Sequence, residues 1–394
     1  MRIGIIGCGV AGQAAGIALA RDGHSVTVFE RFATARPLGA GLLLQPSGQL
    51  ALERLGLRDE AERWGARVNC LDGRDPKGRR VLALDYPPGQ YGLGIHRGAL
   101  FNLLHGALLN AGINLRLNFD VAAILDPAKP TVVSKAGERV GPFDLLLDCA
   151  GAHDALRDGL GLRVRAPVYT WGAVWAALPD PDGAFGGALR QVYDKAHTMI
   201  GILPLGRAPD AGDGPHVAFF WSLKRCDYEA QRAAGIEILK QRVLRNWPAI
   251  APILRGLTKW EDLSFATYRD VVVRPAITGR VVVLGDAAHG TSPQLGQGAN
   301  LALIDAVILA HCLRDGDSDT ALERYAALRR AHVAFYTLAS RAMTPVFQSD
   351  SRVIAWLRDT LLYPGGKLPG ARYLMRTTLG GVRKLPFGIF KLPA

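Results

Sequence analysis

The sequence predicts an α/β fold in which a mostly parallel sheet is interrupted by an inserted, mostly antiparallel second sheet and followed by C-terminal helices. Three observations predict it. A strand, a glycine-rich turn, a helix and a second strand open the chain; alternating segments broken by Pro, Gly and Asp fill residues 165–275; and a second glycine-rich turn, GDAAHGTSPQLGQGANLAL, follows at residues 285–303.

Residues 2–6 (RIGII) and 25–29 (SVTVF) are apolar runs of strand length, and the Ala-rich stretch from Gly12 to Arg21 between them suits a helix, giving a β-α-β unit. From Gly98 the segment ALFNLLHGALLNAG reads as a helix, INLRLNFDVAAIL and PTVVSKAG as strands, and FDLLLDCAG as the buried strand that returns the chain to the first sheet. Beyond residue 165 come YTWGAVWAAL, LRQVYDKAHTMIGILPL and HVAFFWSLKR, strands of an antiparallel sheet, with one or two helices near residues 228–247. GRVVVLGDAAH is again a strand, and NLALIDAVILAHCL and TALERYAALRRAHVAFYTLASRAM are amphipathic helices. The expected division is therefore a nucleotide domain over 1–164, a substrate domain over 165–275, a return to the first domain over 276–345, and a C-terminal helix with a basic tail over 346–394.

With 394 residues, 49% hydrophobic and 21% charged, the composition is that of an ordinary two-domain globular protein. The five cysteines show no C-x-x-C pair or metal-ligand spacing, so reduced thiols in a cytoplasmic protein and no metal are expected. The net charge of +12 favours anionic partners such as a phosphorylated cofactor, an acidic substrate or a membrane surface. Nucleic acid is excluded as the expected partner: Lys and Arg are dispersed, and no zinc-finger spacing or RNA-binding aromatic signature occurs. The first twenty residues imitate a secretory signal, but their glycine spacing assigns them to a nucleotide turn. No other run reaches the roughly 18 apolar residues of a membrane span. After Asp359 there is no acid, while Lys367, Arg372, Arg376, Arg383, Lys384 and Lys391 follow, so the tail is expected either to stay solvated on the surface or to make a weak peripheral membrane contact.

Gly7-Cys8-Gly9-Val10-Ala11-Gly12 fits G-x-G-x-x-G between strand and helix, the Rossmann-like arrangement. Gly7 permits the tight turn, Gly9 lets the backbone approach a pyrophosphate, and Gly12 allows helix and strand to pack closely. The helix N-terminus offers free N–H groups and positive potential to the phosphates. Glu30, closing the second strand, can accept from both ribose hydroxyls of an adenosine and repels a 2′-phosphate, so FAD or NAD is expected here rather than NADP. The second turn decides between them, because FAD, the longer molecule, needs its ribityl chain and isoalloxazine held as well.

Three separated pieces, GCGVAGQAAG with Glu30, HRGAL at residues 96–100 and GDAAHGTSPQLGQGANLALIDA, resemble the class A FAD-dependent monooxygenases, the flavoprotein aromatic hydroxylases of the p-hydroxybenzoate hydroxylase type. The resemblance extends over nearly the whole chain. It implies that Asp286 holds a ribityl hydroxyl, that Arg97 reaches the phosphate or ribityl region, and that Val121 lies against the adenine end. Ala11, Arg31 and the turn Gly296, Gly298, Ala299 and Asn300 complete the implied contacts. Physics supports that turn independently: a helix opening at GQGAN aims unpaired N–H groups at the flavin edge where reduction places negative charge. His289 is expected to be structural, and Pro293 forms the turn beside the flavin.

The family pattern G-A-D-G-x-x-S-x-x-R appears here as DCAGAHDALR, with Ala150 where the acid stands and Asp154 where the Ser stands. Asp148, two positions earlier on the same side of a strand, is a partial substitute. The implied reaction uses NADH or NADPH to reduce FAD, after which O2 adds at C4a and the hydroperoxide passes one oxygen to an aromatic or similar electron-rich small molecule. Gln45, Leu43, Tyr193, His197, Phe219, Trp221 and Pro293 are the candidate substrate wall, and no catalytic acid or base is assigned. Two alternatives remain open: a halogenase or prenyl-chain reductase sharing the FAD domain, although WGAVWAALP lacks the W-x-W-x-I-P spacing, and a flavoprotein partner subunit without turnover, suggested by Ala150.

Overall fold

The computed structural model describes residues 1–35, 39–209, 211–212, 214–314, 318–385 and 387–393. Its first sheet has six strands in the order Ile277–Thr278, Val281–Val283, Leu145–Asp148, Arg2–Ile6, Ser25–Phe29 and Asn114–Arg116. All neighbours are parallel except the first pair. A central strand in such a sheet is covered on both faces, which is why RIGII and LLLD are unbroken apolar runs. Ile3 and Ile5 face the helices Val10–Arg21 and Gly298–Arg314, while Ile6, Phe29 and Leu146 face a small antiparallel sheet, Val121–Leu125, Thr131–Ser134 and Arg139–Val140.

The second sheet has nine strands. Five lie between Val168 and Arg269, and four come from much earlier in the chain: Gly41–Leu44, Ala66–Arg74, Arg80–Asp85 and Gly92–His96. The two groups join where Gly187–Asp194 pairs in parallel with Ala66–Arg74; every other pairing in the sheet is antiparallel. One face is sealed by the helix Ile236–Asn246, whose Leu239 and Val243 pack on Val174, Phe219 and Trp221. The other face carries Leu43, Ala218, Phe220 and Tyr193 and lies towards the second glycine turn and the C-terminal helices.

The C-terminal segment is folded rather than a solvated tail. Helices Arg352–Gly365 and Pro369–Leu379 are followed by a two-stranded ribbon, Arg383–Lys384 and Gly388–Ile389. Arg372 and Arg376 both bind the Asp85 carboxylate, 287 and 291 residues upstream. Ser47 N donates to Gly380 O at 3.1 Å and Gln297 Nε2 to Leu379 O at 2.9 Å, so the segment abuts the second glycine turn. Among the described residues the five cysteines are free, no group of side chains could hold a metal, and no helix is long and apolar enough to cross a membrane.

Candidate flavin site

Gly7 adopts φ +97°, in the left-handed region open to glycine, and its N–H donates to Phe29 O at 2.8 Å, which closes the first turn. A methyl on Gly12 would sit 2.0 Å from Gly7 O, so this glycine sets how closely helix and strand approach. A methyl on Gly9 would meet no protein atom within 4 Å. Gly9 caps the helix in an extended conformation without a side-chain cap, leaving the first-turn donors facing that open space. Gln13, fully buried, donates its amide to Cys8 O at 2.8 Å and braces the turn from below. The Cys8 thiol is pushed up to about 12 by burial and by the nearby Glu30, so it stays protonated.

Glu30 is 8% exposed, with one carboxylate oxygen accepting from Cys8 N at 3.0 Å and the other from Phe32 N at 3.1 Å. Both oxygens keep a further lone pair for a ligand hydroxyl. Beside it Glu30 O accepts from Phe119 N at 2.9 Å, which brings partly exposed Val121 to this end. Arg31 is exposed, its guanidinium 4.7 Å from the Phe32 ring centroid.

The second turn lies directly against the first. A methyl on Gly285 would be 2.9 Å from Ala11 Cβ and 3.5 Å from Ala302 Cβ, so the helices Val10–Arg21 and Gly298–Arg314 present their N-termini side by side. Asp286 is exposed at this junction, and its Oδ1 lies 3.5 Å from a methyl built on Gly298. Asp305 fixes the turn from beneath: it accepts from Gly285 N at 3.0 Å, meets His289 Nε2 at 2.6 Å and Arg329 Nε at 2.7 Å. Burial would raise this carboxyl, yet Arg329 and then His289 hold it well below the usual range. His289, 4% exposed, is thereby a structural partner. Asp305 and Gln13 were missed in the sequence; a lone acid on the apolar helix NLALIDAVILA was the available signal.

Gly296 is left-handed at φ +60°, and Pro293 starts the short turn before it. Asn300, fully buried, donates to Leu43 O at 3.1 Å and Gly296 O at 2.8 Å and accepts from Gln45 N at 2.8 Å, tying the turn to the strand Gly41–Leu44. Its side chain therefore shapes the turn, while Gly298 and Ala299 remain partly exposed at the helix start. Gln45 is fully buried: its Oε1 accepts from the Tyr86 hydroxyl at 2.6 Å, and its Nε2 has no partner. That free donor lies 3.7 Å from a methyl built on Gly296. Arg97 is exposed, its Cδ 3.1 Å from a methyl on Gly39. It also acts electrostatically on Tyr268, whose hydroxyl accepts from Trp175 Nε1 at 3.1 Å and is pushed up to about 12 mainly by burial.

The remaining wall candidates do not gather here. Phe219 and Trp221 pack on the opposite face of the sheet under the helix Ile236–Asn246; Phe220, with its ring centroid 4.7 Å from Trp175, is the aromatic on the near face. Tyr193 is on the near face but 1% exposed, between Phe347 at 5.2 Å and Arg358 at 4.9 Å. His197 sits on a hairpin turn lining a surface cavity of about 180 Å³ with Asp194, Lys195 and Arg352. Asp148 is no substitute for the family acid: it is fully buried, accepts from Ala150 N at 3.1 Å, and is raised well above the usual carboxylate range by burial and by Asp154. Ala150 itself is exposed, 3.4 Å from a methyl built on Gly7, and Arg157 donates to Ala287 O, joining this loop to the Asp286 turn.

The open approach at Gly9, the paired helix N-termini and the unpartnered Gln45 amide fit a molecule with phosphates at one end and a polar ring system at the other. The FAD binding domain family matches residues 1–338. Aurachin C monooxygenase/isomerase of Stigmatella aurantiaca is 27% identical over 369 residues, covering 91% of this chain and 92% of the relative. The 6-hydroxynicotinate 3-monooxygenase of Bordetella bronchiseptica is 26% identical over 84% of this chain and 86% of its own. HpxO of Klebsiella pneumoniae, solved with FAD and uric acid, superposes with a TM-score of 0.78 at 22% identity, covering 95% of this chain and 96% of that one. With the family matched from residue 1 to residue 338 and the two glycine turns packed side by side, the chain belongs to the class A FAD-dependent monooxygenases.

Proposed function

We propose that this flavoprotein hydroxylates an aromatic or similarly electron-rich small molecule, taking one oxygen atom from O2 and electrons from NADH or NADPH. The observation that carries this reading is the fully buried Gln45 amide, without a partner on Nε2, at the point where the second glycine turn meets the apolar face formed by Leu43, Trp175 and Phe220. A bound flavin supplies the oxygen-activating chemistry. The chain supplies the rest. Gly9 and the helix Val10–Arg21 receive the phosphates, Glu30 the ribose, and Asp286 the ribityl chain. The helix that starts at Gly298 presents positive potential to the ring edge, where reduction adds negative charge. Gln45 orients a carbonyl or hydroxyl by donating from Nε2, with Tyr86 fixing which way its amide points. The apolar near face excludes water from the reacting oxygen.

Two features favour a second reading, a flavin-binding subunit without turnover: Ala150 stands in place of the acid, and the nearby Asp148 is sealed from solvent. One experiment separates the two. Consumption of NADH and NADPH is followed with and without candidate phenols and quinolones, with peroxide release monitored. Substrate-stimulated reduction and O2-dependent product support the hydroxylase; no reduction by either nucleotide supports the second reading.

A further inference from the structure

Along the helix Arg352–Gly365 the exposed positions after its first residue are Val353, Trp356, Leu357, Thr360, Leu361 and Pro364, a spacing that places them on one face. A surface helix ordinarily turns charge outward, but here Val353 is 66% exposed, Trp356 63% and Leu361 57%. The inward face carries Arg358, 4% exposed, which donates to Lys195 O at 2.7 Å and lies over the Tyr193 ring. The cation is bonded inside, beside buried Ala355 and the core-packed Leu362, while an apolar stripe is left facing outward. Further along the chain Leu368 at 63%, Tyr373 at 55%, Leu374 at 45% and Phe387 at 89% are also exposed, before and on the next helix and in the turn of the ribbon.

The charge around the stripe is predominantly basic, with Asp194 and Asp350 at the end nearest Arg352. Arg352, Lys367, Arg372 and Lys391 are exposed, and no acid occurs after Asp359. Among the nearby acids Asp350 pairs with Lys224 at 2.7 Å and Asp359 with Arg358 at 2.7 Å, and Asp85 is shared by Arg372 and Arg376. A second copy would bring this basic rim against itself. An anionic bilayer surface instead takes the aliphatic side chains at the acyl boundary, Trp and Tyr at headgroup depth, and the basic rim at the phosphates.

We propose that the outer face of the helix Arg352–Gly365, together with Leu368, Tyr373, Leu374 and Phe387, docks peripherally on an anionic lipid surface. At about 1.5 Å per residue the 14-residue helix is about 21 Å long, suited to lying in the interface. The proposal is independent of the redox reading, and its test needs no turnover. The FAD-loaded full chain is floated with phosphatidylglycerol or phosphatidylcholine vesicles, as wild type and as Trp356→Ser/Leu361→Ser. Expected is binding to phosphatidylglycerol at low salt, at least tenfold weaker to phosphatidylcholine, at least tenfold weaker in the variant and weaker in 0.5 M salt, with unchanged flavin content. Wild-type tryptophan emission shifts to the blue on binding, and the variant's does not. Absence of binding to either lipid, or equal binding by the variant, overturns the proposal. So does sedimentation showing a dimer that the same double substitution dissociates, because a second copy then covers the face.

Discussion

Gly9→Ala and Gly12→Ala, three residues apart in one motif, are expected to fail in opposite ways. The methyl of Gly12→Ala lands 2.0 Å from Gly7 O, more than 1 Å inside ordinary contact, and only a shift of the helix against the strand relieves it. Overpacking of this kind costs about 3 kcal/mol. At about 2.1 cal/mol/K per residue, 394 residues have an unfolding entropy of about 0.8 kcal/mol/K, so the apoprotein melts about 4 °C lower. Gly9→Ala meets no protein atom within 4 Å and keeps an extended backbone, so its helix-cap cost is at most about 1 kcal/mol, about 1 °C. Its methyl instead enters the space where the phosphates are expected, and FAD affinity falls at least tenfold, about 1.4 kcal/mol. Apoprotein melting by circular dichroism and FAD titration by fluorescence quenching read the two effects separately. Full-affinity FAD binding by Gly9→Ala, or an unchanged melting point for Gly12→Ala, refutes the geometry assigned to this turn.

Asp286→Ala is expected to purify with little bound flavin, which absorbance near 450 nm reports; a fully yellow variant removes its proposed role. Asp305→Asn leaves the Arg329 guanidinium buried without its counterion and costs about 3–5 kcal/mol, measured by urea unfolding. Because the folded Asp305 carboxyl is depressed, its contribution is present above the unfolded carboxylate range and is lost only as pH falls through the lower folded value. Asp148 has the opposite sign: its carboxyl is raised in the fold, so stability is lost as pH rises through that value. Asp148→Asn, which keeps an acceptor for Ala150 N, is therefore expected to raise the melting point at pH 7 and leave it unchanged near pH 3. Gln45→Leu strands the buried Tyr86 hydroxyl at about 1–3 kcal/mol, and adding Tyr86→Phe recovers most of that loss in denaturant midpoints.

What the sequence disclosed was local. Gly7, Gly9, Gly12 and Glu30 lie within 24 consecutive residues, and their turn is closed by neighbours in the same β-α-β unit. The second turn was legible for the same reason. The second sheet was legible only in part, because Gly187–Asp194 finds its parallel partner in Ala66–Arg74, and no local pattern records a pairing that distant. The choice of Phe219 and Trp221 over Phe220 has a related cause. The strand HVAFFWSLK is buried at eight of its nine positions, so it lacks the alternation that distinguishes the faces. In the C-terminal segment the missing acids suggested solvation, but its counter-charge, Asp85, is supplied from the other sheet.

The bond from Gln297 to Leu379 O spans 82 residues of chain, and His332 reaches Gly381 O across 49. During translation the second glycine turn, proposed to meet the ring of the coenzyme, therefore leaves the ribosome before the residues that brace it. In the proposed site the phosphate end, at Gly9 and the first helix, can form early, whereas the ring end waits until the brace has emerged. A product cut short before Leu379 is therefore expected to hold the coenzyme more weakly than the full chain, even where its first turn has folded.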